Sequence, residues 1–157
     1  MNMTRTFVIE TLERSLDPVN PIINTVFDKE NIVNDPTILE YINRLHRYTF
    51  QDDASFNNLL IGALCLFLKF KENAREHNIL ITTSNYIIIF AISFYVISCI
   101  YDSSDHKTMA FSSRIAGFRC PTFKLYVSAF MAIMDNKCMI NEQIYNMMIT
   151  TRNHFAI

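Results

Sequence analysis

Residues Ile79–Tyr101 read ILITTSNYIIIFAISFYVISCIY, 23 positions without an Asp, Glu, Lys or Arg. A helix apolar on every side has to be surrounded by lipid or by other helices, because at a protein surface half of its area would stay in water. Length alone points to a bilayer, which needs about 20 mostly apolar residues. Composition points the other way. Thr82, Thr83, Ser84 and Asn85 open the stretch with side chains that cap helices well and cross hydrocarbon badly, leaving an apolar helix over Tyr86–Tyr101. Within it, Ser93, Tyr95, Ser98 and Cys99 would need partners in lipid, and neither flank carries the Lys/Arg excess that orients a span. The stretch therefore predicts the central helix of a soluble bundle, and no other segment is expected to cross a membrane.

The rest of the composition fits that reading. A chain of 157 residues is one domain by length and large enough to bury a real core. A net charge of -1, with basic residues spread from Arg5 to Arg152, gives no electrostatic reason to expect nucleic acid or an acidic surface as partner. The densest basic group, Lys69, Lys71 and Arg75, falls where a helix is expected to end, and there it complements the helix dipole. Met1 to Val8 has no apolar core of a secretory signal. Cys65, Cys99, Cys120 and Cys138 are far apart, without CxxC spacing, and read as reduced core thiols of an intracellular protein of the nucleus or cytoplasm. Only Gly62 and Gly117 are glycines; tight turns between strands need positive φ repeatedly, so the chain is expected to be all-α.

Caps and apolar spacing place the helices. Thr4 to Leu16 repeats Val8, Ile9, Leu12 and Leu16, and Asp17-Pro18 ends it. Asn20 to Asn34 has no steady period and reads as a connector with Val26 and Phe27 tucked against the body. Thr37 to Tyr48 puts Ile38, Tyr41, Ile42 and Leu45 on one stripe, with Glu40, Arg44 and Arg47 facing out. Asp52 or Asp53 caps a helix from Ala54 to Phe70, and the apolar helix follows Ser84. Asp105 caps a shorter one through Ile115, ended by Ala116-Gly117; Pro121 stands early in the next, to about Asp135. Asn141 caps the last, with Ile144, Tyr145, Met148 and Ile149 inward. Residues 1–36 are read as an N-terminal helix and connector, and 37–157 as the main helical domain with its C-terminal helix, together one globular unit.

No group of residues reads as catalytic. Asp102-Ser103-Ser104-Asp105-His106 has the residue types of a hydrolase, yet a triad needs them converging from separated positions, and here they are consecutive. His46, His77, His106 and His154 have no second ligand one turn away, so no metal is expected, and two isolated glycines cannot cradle a phosphate. The chain is expected to be no enzyme and to hold no cofactor or small-molecule substrate. Of its eight Met, five lie between Met131 and Met148; they fill core gaps or make an adaptable docking groove.

The order of the parts resembles a known family. Thr25-Val26-Phe27, Pro36-Thr37-Ile38 and then Tyr41-Ile42-Asn43-Arg44-Leu45-His46-Arg47-Tyr48 are similar to the opening of the P-type cyclins, the phosphate-response and plant U-type group. Thr83-Ser84-Asn85, a long apolar helix and Tyr101-Asp102 resemble that group's Ser-x-Asn start and Lys-Phe-x-Asp finish. Arg114-Ile115-Ala116-Gly117, Phe130-Met131 and Ile140-Asn141 with Tyr145 continue it, so the likeness runs from about Val8 to Met148.

The resemblance implies a single cyclin box, a five-helix bundle around a buried central helix, with extra N- and C-terminal helices. It implies a regulatory subunit that binds a cyclin-dependent protein kinase and sets its activity and substrate choice. The contact would involve the third and fifth box helices, at Cys99, Tyr101, Asp102, Val127, Met131 and Asn136. Family members usually carry a lysine and a glutamate that anchor the kinase; Cys99 and Val127 stand there instead, and Asn136 replaces an aromatic. Paired loss of the two charges is physically coherent, since an apolar pair can replace an ion pair at little cost. Three explanations stay open: a working cyclin whose kinase has co-adjusted, a helical adaptor with the same fold and no kinase, or a register shifted by one turn.

Overall fold

The computed structural model describes residues 3–18, 27, 36–49, 52–101 and 109–155. Among them run seven helices and no strand: α1 (Met3–Arg14), α2 (Ile38–Thr49), α3 (Asp53–Glu76), α4 (Tyr86–Tyr101), α5 (Met109–Ala116), α6 (Cys120–Ile133) and α7 (Glu142–His154). The all-α expectation holds. Of the connector, only Phe27 is described; it is buried, its ring against Phe70 and Tyr126 at 5.7 Å each. Val26 and Asp105 lie outside the described residues.

Helix α4 has the expected limits and is sheathed by protein. Eleven of its 16 residues are buried, and those left open, Cys99, Ile100 and Tyr101, are its last three. Its polar start is fully used. Asn85 is buried, its Oδ1 accepting from Thr82 N at 3.0 Å and its Nδ2 donating to the Leu80 carbonyl at 3.0 Å. Ser93, expected to need a partner in lipid, donates its Oγ–H to the Ile89 carbonyl of its own helix at 2.8 Å, a bond that a helix in lipid makes equally well.

Helix α3 is longer than expected, 24 residues ending at Glu76 instead of Phe70. Among the described residues it, and not the 16-residue α4, is the helix long and apolar enough by length and composition to cross a membrane, which corrects the expectation that no other segment has that character; most of its apolar stretch is buried in the fold. Asp52 caps it, accepting from Ser55 N at 2.8 Å. That bond and a second from the Ser55 hydroxyl hold the Asp52 carboxyl below its ordinary range.

The extra turns persist because their charges find partners from remote parts of the chain. Lys69 Nζ donates to the carbonyls of Lys137 at 2.9 Å and Met139 at 3.3 Å. Lys71 and Arg75 approach Asp17 Oδ1 at 3.7 and 3.8 Å. Asp17 in turn exchanges bonds with Ile81, pinning the loop that leads into α4.

Helices α1, α4, α6 and α7 all pack on α3. Gly62 makes the closest approach possible: a Cβ there would lie 3.2 Å from both Ile97 Cγ2 and Ile140 Cδ1. Helix α2 buries Ile38, Tyr41, Ile42 and Leu45 as its spacing predicts. Arg44 does not face out; its guanidinium donates to the Ile115 carbonyl near the end of α5 at 3.1 Å. Where α1, α2 and α3 meet, Arg5 bonds Asn43 Oδ1 and His46 Nδ1, and His46 stacks on Phe56 at 4.5 Å.

Gly117, at φ 89°, ends α5, with Phe118 N donating back to the Ser113 carbonyl at 2.8 Å. Pro121 opens α6 as expected. Asn141 caps α7, accepting from Gln143 N and Ile144 N. That helix buries none of its residues completely; Tyr145, Met148 and Ile149 are half-covered, and Ile144 is exposed, contrary to its expected inward place.

Candidate protein-docking surface

The sequence places its candidate contact on the end of α4 and along α6, and the relation of those helices follows from ring contacts. Tyr95 of α4 meets Phe123 of α6 edge-on at 5.7 Å. Further along α6, Phe130 stacks on Phe70 of α3 at 4.3 Å, one turn from Phe67, which touches Phe90 of α4. Moving forward along α6 therefore moves backward along α4, and the two are antiparallel.

That register separates the predicted positions. The end of α4, with Cys99, lies beside the start of α6. Val127 is seven residues past Cys120, about 10 Å further down the helix axis. Cys99 is exposed; Val127 and Met131 are half-buried and packed against the core, Met131 with the Cys138 thiol 3.6 Å from its sulfur. Tyr101 is half-exposed, its hydroxyl accepting from Ile140 N at 3.2 Å. Asn136 has φ 57° and closes α6 by donating its N–H to the Met131 carbonyl at 3.0 Å; an asparagine suits that left-handed turn better than the aromatic seen in the resembling family. Asp102 lies outside the described residues.

The four cysteines are all free, but they are not all core thiols. Cys65 and Cys138 are buried, and burial pushes the Cys65 thiol up to about 11 and raises Cys138 as well. Cys99 is exposed and Cys120 half-buried. Burial first, then donation of its hydroxyl to Cys99, pushes Tyr95 up to about 12, and Cys120 adds to the same shift.

Among the described residues, the most open apolar side chains are one that sequence reasoning missed, Leu125, and two of the methionines it offered as a docking groove. Leu125, on the outer side of α6, is 70% exposed, and Met139 and Met147 are 67% and 63% exposed. The methionine cluster thus divides: Met134 is sealed in the core, while Met139 and Met147 reach solvent. Spacing alone could have flagged Leu125, which shares its helix side with Pro121, Ser128 and Ala132. Among the described residues, no group of three or more His, Cys, Asp or Glu could hold a metal ion.

No protein-family model matches the chain, and no curated protein matches it in sequence.

Proposed function

We propose that this protein is a cyclin-like regulatory subunit, with α2 to α6 taking the part of the five helices of a cyclin box and α1 and α7 as the added terminal helices. On this reading it binds a cyclin-dependent kinase in the nucleus or cytoplasm, holds the kinase's mobile helix in its active arrangement, and leaves all chemistry to the partner. The observation that carries the reading is the sheathed α4 standing third in that run of five, its open end beside the start of the fifth helix. The resemblance to P-type cyclins supplies the rest.

The contact would centre on Cys99 and Tyr101 with the outer side of α6, because Val127 and Met131 turn partly into the core. Cys99 is exposed, so a charge there tests this while the buried core stays intact. Affinity capture from the native source with mass spectrometry should recover a protein kinase, and Cys99→Arg should lose it while keeping its helical circular dichroism. Stable partners that include no kinase would overturn the proposal.

Half-burial of Val127 and the open Ile144 and Met147 of α7 favour a second reading, a helical adaptor that binds a non-kinase protein through α7. In that case Met147→Glu, and not Cys99→Arg, removes the partner.

A further inference from the structure

We propose that Cys99 and Cys120 form a reversible disulfide that staples the end of α4 to the start of α6. This goes beyond the partner reading and stands on thiol geometry alone. Tyr95 and Phe123 are in ring contact across the two helices at 5.7 Å. Cys99 follows Tyr95 by four residues and Cys120 precedes Phe123 by three, which on helices are neighbouring positions on one face. Since α4 and α6 are antiparallel, both steps lead to the same end of the pair, so the two thiols stand at one level on facing helices.

The spacing suits a bond. Cα atoms of α4 and α6 approach within 8 Å, and a disulfide spans Cα separations of about 4.4–6.8 Å. Tyr95 lies near both sulfurs, each of which raises its hydroxyl. Neither thiol is sealed off, whereas Cys65 and Cys138 are buried in the core.

The oxidant is hydrogen peroxide. One thiol gives up its proton and its thiolate attacks a peroxide oxygen; the O–O bond breaks, a sulfenic acid forms, and the leaving hydroxide takes up that proton and departs as water. The second thiol attacks that sulfur, the S–S bond forms, and a second water leaves with the remaining proton. Two thiols are oxidised by two electrons, and one peroxide is reduced to two waters.

The test uses the full chain, reduced, freed of reductant and treated with hydrogen peroxide, followed by intact mass and non-reducing tryptic mapping. The expected product is a monomer about 2 Da lighter. Peptides 76–107 and 120–124 should be joined, as cleavage after Arg75, Lys107, Arg119 and Lys124 dictates. Dithiothreitol should reverse the link, and Cys99→Ser and Cys120→Ser should each abolish it. Iodoacetamide on the native reduced chain should label Cys99 and Cys120 and spare Cys65 and Cys138. A bridge through Cys65 or Cys138, a dimer linked between chains, separate oxygen adducts on the two sulfurs, or no reaction would each overturn the proposal.

Discussion

Helices α3 and α4 lie against each other and both are sealed through the middle, but they are held by different means. Helix α4 carries no charge over its 16 residues and is buried because it has nothing to offer water. Helix α3 has a core just as apolar, from Leu59 to Phe67, and then two charged turns whose side chains reach out to Asp17 and to the 137 and 139 carbonyls. The first helix fills the core; the second fills it and also ties the flanking segments down. Uniform apolarity decides what is inside, and the reach of a few long polar side chains decides what is fastened to it.

The strongest test of the comparison removes a fully buried ring from each helix. Phe90→Ala in α4 and Phe67→Ala in α3 should each cost about 3–5 kcal/mol in urea unfolding. Costs that differ severalfold would break the claim that both helices are equally interior. Next in size is the contact between them. Gly62→Val forces branched methyls toward Ile97 and Ile140, already 3.2 Å from a Cβ, and should lower stability by about 1–3 kcal/mol on the same assay. An unchanged midpoint would mean that α4 does not seat so closely.

Asp17→Asn addresses the fastening function of α3. It keeps an oxygen for Ile81 N but drops the charge facing Lys71 and Arg75, so a loss of up to about 1 kcal/mol is expected. Lys71→Met in that background should then add less than it does alone, a coupling read by a double-mutant cycle.

The smallest effects are in pH, and they divide the two helices by their caps. Asp52 is held low by its bonds to Ser55, so its contribution is present above the ordinary carboxylate range and is lost as pH falls below about 4. Helix α4 begins with uncharged Thr82 and Asn85. Amide protection at the start of α3, taken against the intrinsic exchange rate at each pH, should therefore fall in acid, and that at the start of α4 should not. At the other extreme, Cys65 has its ordinary value of 9.0 raised to about 11, so stability present below pH 9 should decline as the unfolded chain gives up its thiol proton between those values. Cys65→Ala should flatten that slope.

Much of the fold is legible in the sequence because it rests on local signals. The limits of α4, the caps at Asp52 and Asn141, the stop at Gly117 and the inward Phe27 all follow from side-chain chemistry within a few residues. The end of α3 does not, because Lys69, Lys71 and Arg75 resemble a dipole-matched terminus until their partners, remote in the chain, are known. Arg44 fails to face solvent for the same reason: its acceptor belongs to α5. The candidate surface is harder still. Exposure of Cys99 depends on which helix stops covering the end of α4, and half-burial of Val127 on how α6 is rotated. Nothing in the sequence spacing of α4 and α6 shows that Tyr95 and Phe123 meet; only the fold brings the two helices together there.

The account depends on α4 being enclosed by its own neighbouring helices. Hydrogen exchange of the full chain in detergent-free buffer measures this directly. The amides from Ile88 to Ile97 should be among the slowest in the molecule, matched by the middle of α3 and opening only with global unfolding. Rapid exchange through that stretch, or a chain that stays folded only in detergent, would contradict it.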